Sequence, residues 1–349
     1  MRNILIDIYK TNNLYSGLGQ FSLNFAKAIL ERNPQDISIH LLYKQSAEFD
    51  LNADNFQFHK ANTLRRFLSN YPNKFDLWHS LHQFPSHLPP KNCKQILTIH
   101  DLNFLIEKND IKKTKYRNRL QKNIRRADAI TCISKFTKTM VEQNFDLGNK
   151  KIEVIYNGVE ANFDQVLNKP AFLNGKKYFF SIGIFNFKKN FHSLIPVLNF
   201  FSETQLVLAG NHDTAYGEFV KKEIKRHHLE SRVHLLGKVS ETEKLSLYAN
   251  CEAFLFPSLA EGFGIPPIEA MMAGKPVFLS QETSLPEIGG KQAFYFESFE
   301  AEKMAELIQT KLKEVEKNPN FSKETKNYAQ GFNWEKCISG YIALYQKMV

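Results

Sequence analysis

Residues 258–272, Ser-Leu-Ala-Glu-Gly-Phe-Gly-Ile-Pro-Pro-Ile-Glu-Ala-Met-Met, set two carboxylates, Glu261 and Glu269, around a Gly-Phe-Gly turn and a double proline. Gly262 and Gly264 let the backbone come close to a ligand without Cβ atoms in the way, which leaves bare amides as donors. Pro266 and Pro267 fix φ at the start of a segment in which Ile268, Met271 and Met272 recur at helical spacing until Gly274 stops it. A helix N-terminus therefore faces the turn. Its free N–H groups and positive dipole end favour an anion such as a diphosphate. Glu269, placed on the first turn, is set to accept hydrogen bonds from ribose or sugar hydroxyls. Neither carboxylate has a lysine or arginine at helical spacing to pair with. The same residues also fit a plain strand-turn-helix junction whose glutamates are solvated or cap the helix.

Outward from this junction, apolar runs at residues 178–183, 205–210, 233–237, 253–257 and 277–280 alternate with longer amphipathic stretches. An equivalent rhythm precedes it, with runs at 3–9, 37–43, 95–99, 129–133 and 152–156. Each half predicts a parallel sheet covered by helices, and 349 residues are too many for one ordinary core. The reading is α/β with two Rossmann-like, doubly wound domains. The first covers 1–165 and the second 170–331, with the junction near 160–176. Asp7 interrupts the first apolar run, and no small-residue cleavage site follows, so the start reads as a buried strand rather than a signal peptide. Cys93, Cys132, Cys251 and Cys337 form no close pair, which suits a reducing compartment and ordinary buried thiols.

The glutamate pair around Gly-Phe-Gly resembles glycosyltransferase family 4, retaining enzymes of the GT-B fold. Further strings look like family elements in the family's order: Gly17-Leu18-Gly19, Ile99-His100-Asp101-Leu102, Ile133-Ser134-Lys135-Phe136-Thr137-Lys138, Asn157-Gly158-Val159, Lys188-Lys189-Asn190 and Ser284-Leu285-Pro286-Glu287. The resemblance covers nearly the whole chain. It implies GT-B architecture, two domains facing an interdomain cleft, and a terminal helix at about 332–349 crossing back onto the first domain. It implies transfer of a hexose-like sugar from a GDP- or UDP-sugar to a saccharide or lipid-linked acceptor, with retention, in cell-surface polysaccharide or lipopolysaccharide synthesis.

The resemblance also distributes roles. His100, ending the strand run at 95–99 with Asp101 beside it to bias its tautomer, is expected to contact the transferred sugar or orient the acceptor. Glu261 and the amides of Gly262, Phe263 and Gly264 take sugar hydroxyls and the diphosphate, and Glu269 takes the ribose. Lys188 and Lys189, just before a helix expected to begin at Asn190, neutralise the departing diphosphate. His100, Glu261 and Lys189 are thus the catalytic candidates. Gly17 and Gly19, in a loop before a helix at 20–31, approach the donor. Two departures stand out: Gly17-Leu18-Gly19 replaces the commoner adjacent glycines, and Lys188 replaces an arginine, keeping the charge but losing the bidentate fork. No metal and no cofactor are expected, the leaving phosphate itself accepting the acceptor's proton.

Charge is uneven. Residues 1–168 carry 24 Lys and Arg against 16 Asp and Glu, and residues 169–349 carry 22 against 20. The densest part, residues 112–126, reads as one basic helix with Tyr116, Leu120 and Ile124 as its apolar positions. Its face is either simply solvated or attracted to an anionic membrane surface. Nucleic acid fits poorly, because no stacking aromatics interleave with the charges. The expected place is the cytoplasm, peripheral at the inner face of the membrane. His79, His82 and His87 have a spacing that suggests metal, but Trp78, Leu81 and Phe84 around them read better as an aromatic loop lining an acceptor cleft. A dehydrogenase would need a G-x-G-x-x-G turn directly after a strand, and none is present. A noncatalytic nucleotide-sugar or glycan-binding, membrane-associated protein of the same fold is the remaining alternative.

Overall fold

The computed structural model describes residues 2–13, 16–44, 56–61, 75–163, 168–173 and 175–349. The chain separates into two compact units, one of Met1–Gly158 with Asn333–Val349 and the other of Val159–Phe332. The expected junction at 160–176 includes residues 164–167 and 174, which lie outside the described residues.

In the first unit, strands β1 (Arg2–Asp7), β2 (Ile37–Tyr43), β3 (Phe56–Lys60), β4 (Leu77–Ser80), β5 (Lys94–Ile99), β6 (Ala129–Cys132) and β7 (Ile152–Val154) form a parallel sheet in the order β3-β2-β1-β4-β5-β6-β7. Most are near-continuous apolar runs, as strands covered on both faces must be. Helix α1 (Gly17–Arg32) turns Phe21, Phe25, Ala26 and Ile29 inward. The short α2 (Phe104–Glu107), α3 (Asp110–Arg126) and α4 (Lys135–Asn144) lie along the later strands, where Leu120, Ile124 and Val141 join Leu97, Ile99 and Ile130 in a second core cluster.

β4 belongs to this sheet, so Trp78 and His79 are strand residues and not part of a loop. His79 is fully buried, with Tyr345 Oη 2.6 Å from Nδ1 and Thr98 Oγ1 2.7 Å from Nε2. Burial, reinforced by the charge of His100, pushes its pKa down to about 3. Tyr345 comes from the terminal helix (Trp334–Met348), which packs Ile338, Tyr341 and Leu344 against Ile4, Phe25 and Ile29 within the same unit.

The second unit holds β8 (Tyr178–Ile182), β9 (Gln205–Ala209), β10 (Val233–Leu236), β11 (Ala253–Phe256), β12 (Val277–Ser280) and β13 (Phe294–Phe296), also parallel, in the order β10-β9-β8-β11-β12-β13. Helices α5 (Ala215–Arg226), α6 (Glu241–Asn250), α7 (Ile265–Met272), α8 (Leu285–Gly289), α9 (Ala301–Lys317) and α10 (Phe321–Ala329) follow; the terminal helix of the first unit is then α11. The helix expected to begin at Asn190 is instead a series of 3-10 turns, Phe187–Lys189, Phe191–Leu194 and Pro196–Phe200. Asn190 is left-handed at φ 54°, and Pro196 cannot donate an i→i−4 bond, so a continuous α-helix cannot form. All four cysteines are buried free thiols. Among the described residues no helix is long and apolar enough to cross a membrane.

Each strand order reverses direction once, between β1 and β4 and between β8 and β11. In open parallel sheets the crevice beyond the carboxyl ends at such a reversal is where ligands bind.

Candidate functional site

Several of the residues singled out from the sequence lie just beyond the carboxyl ends of strands at or next to these reversals. In the second unit, β8 runs into Gly183 and the turn carrying Lys189, while β11 runs into Ser258 and Glu261. Lys189 Nζ sits 2.6 Å from Glu261 Oε1, with side-chain exposures of 11% and 15%. Ser258 Oγ donates to the same carboxylate oxygen at 2.6 Å. The ammonium also lies over the Phe256 ring, 4.7 Å from its centroid. Gly183 makes room for it: a Cβ there would stand 2.8 Å from Lys189 Cε, at a φ of +156°. A sequence without local partners for Glu261 thus pairs it through a lysine from another strand end.

The turn is tied down from β12. Thr283 Oγ1 accepts the Glu261 N–H at 3.0 Å, and Ser284 Oγ meets the carbonyls of Glu261 at 3.1 Å and Phe263 at 2.7 Å. Gly264 caps α7 at φ 120°, a conformation that side chains rarely tolerate. Phe263 is 4% exposed and packs against Phe332 at 6.0 Å, so its side chain anchors the turn in the core. Lys188 is half-buried; its carbonyl accepts the Leu259 N–H and lies 3.1 Å from Ser258 Oγ, so the backbone at 188 braces the loop that holds Glu261.

Glu269 departs from expectation. Because the helix begins at Ile265, Glu269 falls in its second turn and points toward α6. Lys244 Nζ donates to Oε1 at 2.7 Å and Tyr248 Oη to Oε2 at 2.9 Å. Burial raises the pKa of Glu269 against the opposing pull of Lys244 and Tyr248. Burial alone would lower the pKa of Lys244, but Glu269 and Glu241, the latter at 2.9 Å, outweigh it and raise it. Neither Lys244 nor Tyr248 was a candidate from the sequence; they approach from a separate helix, which periodicity does not reveal. A cavity of 720 Å³ opens on the other face of α6, lined by Phe172, Leu235, Val239, Thr242, Glu243 and Ser246 among others, and none of the predicted site residues lines it.

In the first unit, His100 follows β5 at 5% exposure. Its Nε2–H donates to the Leu81 carbonyl at 2.8 Å. This bond sets the tautomer, and Asp101 Oδ1 instead accepts the Asn103 N–H at 2.9 Å. Burial pushes the His100 pKa down to about 4, so the ring is neutral at physiological pH, with Nδ1 making no hydrogen bond among the described residues. His82 stands with its ring centroid 6.2 Å away, its Nδ1 accepting the Phe84 N–H at 3.1 Å. Burial, then the charges of His100 and Lys10, push it down to about 3. His87 packs against Tyr9 at 5.0 Å. Among the described residues no group of three or more His, Cys, Asp or Glu side chains is placed to hold a metal ion.

Gly17 and Gly19 are not in a preceding loop but form the first turn of α1, capped by Ser16 Oγ, which accepts the Gly19 N–H at 3.0 Å. They are not equivalent. A Cβ on Gly19 would lie 1.9 Å from the Asn13 carbonyl oxygen, whereas one on Gly17 meets nothing within 4 Å. Thermal unfolding of Gly19→Ala is therefore expected to show a loss of about 2 kcal/mol or more, and Gly17→Ala a change within about 0.5 kcal/mol.

Comparison with known proteins follows the same division. Residues 34–163 match the family described as Glycosyltransferase Family 4, and residues 162–329 match Glycosyl transferases group 1. The chain belongs to the group 1, family 4 glycosyltransferases. It is 28% identical to the O-antigen chain mannosyltransferase RfbU of Salmonella typhimurium over 71% of this chain and 68% of that protein. Sucrose-phosphate synthase from Thermosynechococcus elongatus shares its fold with a TM-score of 0.78 at 17% identity, covering 100% and 99% of the two chains. The Anabaena Alr3699/HepE structure in complex with UDP-glucose does so with 0.76 at 17% identity, covering 99% and 100%. The fold of this glycosyltransferase is GT-B.

One further acid stands at the first unit's reversal point. Asp7 ends β1 opposite Ser80 of β4, 6% exposed, and accepts the Tyr9 N–H at 3.0 Å. Burial raises its pKa to about 7 against the opposing effects of the Tyr9 hydrogen bond and Lys10. Its sequence signal was the lone acid in an apolar strand. A carboxyl raised in the folded state favours folding fully below its unfolded pKa, near 3.8, and that contribution is lost as pH rises to about 7. Asp7→Asn in the glycosyltransferase is therefore expected to leave stability nearly unchanged at the acid end and to raise it at pH 8, on the order of 3 kcal/mol in denaturant titrations.

Proposed function

We propose that this glycosyltransferase moves a hexose from a nucleotide-diphosphate sugar, GDP- or UDP-linked, to a saccharide or lipid-linked saccharide acceptor, with retention of anomeric configuration, in cell-surface polysaccharide synthesis at the inner face of the membrane. The mannosyltransferase named among its relatives and the UDP-glucose complex of a protein with the same fold support the reaction class and the donor class. The observation that carries the reading is Lys189 held on Glu261, with Ser258 on the same carboxylate oxygen, beyond the carboxyl ends of β8 and β11 and beside the N-terminus of α7.

The second unit binds the donor. Cleavage of the sugar–phosphate bond adds negative charge to the diphosphate, and a cation already fixed in place stabilises that charge more in the transition state than in the ground state. Glu261, itself bonded by Ser258, holds Lys189 before substrate arrives, and Lys188 adds a second charge. The amides of Gly262, Phe263 and Gly264, with the first turn of α7, receive the phosphates and sugar hydroxyls. Glu269, braced by Lys244 and Tyr248, keeps lone pairs for the ribose. In the first unit, His100 accepts a sugar hydroxyl at its open Nδ1, the Gly17–Gly19 turn supports that pocket, and His82 and Asp7 contribute polar groups beside it. The departing phosphate takes the acceptor's proton, so no nucleophilic carboxylate takes part.

Thermal shift with UDP, GDP, ADP and CMP and their sugar conjugates tests the donor site, because a ligand that binds the native state raises the melting temperature by mass action. The expected result is stabilisation by one nucleotide and its conjugates, weakened in Lys189→Met. Absence of a shift with every nucleotide would overturn the reading in favour of a noncatalytic glycan-binding protein.

A further inference from the structure

Three large apolar side chains stand in water on the loops of the second unit's candidate site. Ile184 is 54% exposed, Phe187 63% and Leu259 40%. Ile184 and Phe187 follow β8 in the turn that carries Lys189, and Leu259 follows β11, its N–H donating to the Lys188 carbonyl at 2.6 Å. Single exposed apolar residues are ordinary, but three on two loops bonded to one another mark a contact surface.

Phe187 is backed on one side only. Its ring lies 4.7 Å from that of Tyr216 and 5.9 Å from that of Phe219, both on α5, and Tyr216 Oη accepts the His192 N–H at 3.1 Å. The turn is tied to its neighbour by the Phe185 N–H on the Asn211 carbonyl at 3.1 Å and by Thr214 Oγ on the Phe185 carbonyl at 2.9 Å. That neighbour carries His212 and Asp213, whose side chain is 87% exposed. A braced aromatic ring near polar groups suits a pyranose, whose C–H groups stack on the ring while its hydroxyls turn to polar neighbours. A protein partner would need about 800 Å² per side, far more than three side chains supply.

The two faces of the sheet decide which part of the substrate this is. Tyr216 and Val220 of α5 pack with Phe179, Leu206 and Leu208, whereas Tyr248 of α6 packs on Phe180 and Phe254. Phe179 and Phe180 are successive strand residues and point to opposite faces. The helix that backs Phe187 therefore lies across the sheet from α6, under which Glu269 awaits the ribose. If the departing phosphate takes the acceptor's proton, the acceptor hydroxyl must stand beside that phosphate and hence beside Lys189. Phe187 shares one 3-10 turn with Lys189.

We propose that Phe187, flanked by Ile184 and Leu259, is the platform on which the acceptor's terminal sugar stacks. The proposal rests on the transferase reading, and two measurements separate them. Saturation-transfer NMR uses a mannose-terminated saccharide with the nucleoside diphosphate selected by thermal shift and no sugar donor. Transfer from aromatic protons to the C–H protons of the terminal sugar is expected, lost in Phe187→Ala and kept in Phe187→Tyr. In steady-state transfer, Phe187→Ala raises the acceptor KM about three- to tenfold and leaves the donor KM unchanged, and Phe187→Tyr restores the acceptor KM. Ile184→Ser combined with Leu259→Ser raises the acceptor KM in the same sense. Circular dichroism verifies that the variants stay folded. No saturation transfer in the unaltered protein, an unchanged acceptor KM in folded Phe187→Ala, a donor KM raised as much as the acceptor KM, or a Phe187→Tyr loss equal to that of alanine would overturn the proposal. Saccharide contact at Phe187 without turnover would support the platform and count against the transferase reading alone.

Discussion

Lys189→Met lowers kcat for sugar transfer about 10²- to 10³-fold, the cost of removing one fixed charge-stabilising donor from a transition state. Methionine keeps the unbranched stem that crosses Gly183, so the loss reports the ammonium and its place over Phe256 rather than the packing of the stem. The effect falls mainly on kcat, because the negative charge on the diphosphate grows as the bond breaks, and donor KM changes less. Lys188→Ala gives a contrast in the same turn. Its backbone carbonyl still accepts the Leu259 N–H, and since Lys189 supplies the ammonium 2.6 Å from Glu261, the loss at Lys188 is expected to stay below about tenfold. Initial rates for the two variants at saturating and limiting donor separate the two lysines. Equal losses would mean that the Glu261 pairing does not single out Lys189.

Lys244→Met is expected to destabilise the second unit by about 3–5 kcal/mol at pH 8, because it leaves Glu269 buried without its cation. Glu269 and Lys244 are 8% and 19% exposed at their side chains, so water does little to replace the pair. The pH dependence has a definite sign. Glu269 has a folded-state pKa raised by burial, so its protonation favours the folded state. Its contribution is fully present below the unfolded value, near 4.5, and is lost as pH rises through the folded value. Removing Lys244 raises that folded value further. The destabilisation therefore grows as pH rises and shrinks in acid, as Glu269 takes up a proton in the folded state. Glu269→Gln in the Lys244→Met background recovers much of the loss, since a neutral amide needs no counter-charge. Chemical denaturation of the two single variants and the double variant at pH 5 and pH 8 checks this.

How far the sequence could be read depended on whether each signal was local. β2 and β12 coincide with their apolar runs, because a strand covered on both faces announces itself as a run of large aliphatics. β4 was hidden: Leu-Trp-His-Ser has no such run, and His79 is buried there only because Tyr345 and Thr98, far away in the chain, satisfy its ring. β3, with its Phe-Gln-Phe-His-Lys alternation at the sheet edge, and the three-residue β13 were too weak to separate from loops. The Gly-Phe-Gly turn and its glutamates were legible because glycines and prolines act locally. The partners of those glutamates were not: Lys189 reaches Glu261 across 72 residues and Lys244 reaches Glu269 across 25. The place of Glu269 within its helix turned on where the helix begins. Gly264 caps the helix at φ 120°, so it begins at Ile265, ahead of the two prolines, and Glu269 falls in its second turn, under α6. His100 was found as a strand-end residue, but the carbonyl that fixes its tautomer belongs to Leu81, which no spacing around His100 could indicate.

The central claim is that the constellation of Lys189, Glu261 and Ser258 serves the departure of a nucleoside diphosphate from a sugar. The direct measurement is NMR of the purified protein with the donor selected by thermal shift and a mannose-terminated saccharide acceptor. It follows both nucleoside diphosphate release and the anomeric proton of the new linkage. Release is expected to be coupled to a new glycosidic bond of the donor's own anomeric configuration, with both slowed together in Lys189→Met. Folded protein that binds a nucleotide yet releases no nucleoside diphosphate from any UDP-, GDP- or ADP-sugar would contradict it, and an inverted linkage would contradict its retaining mechanism.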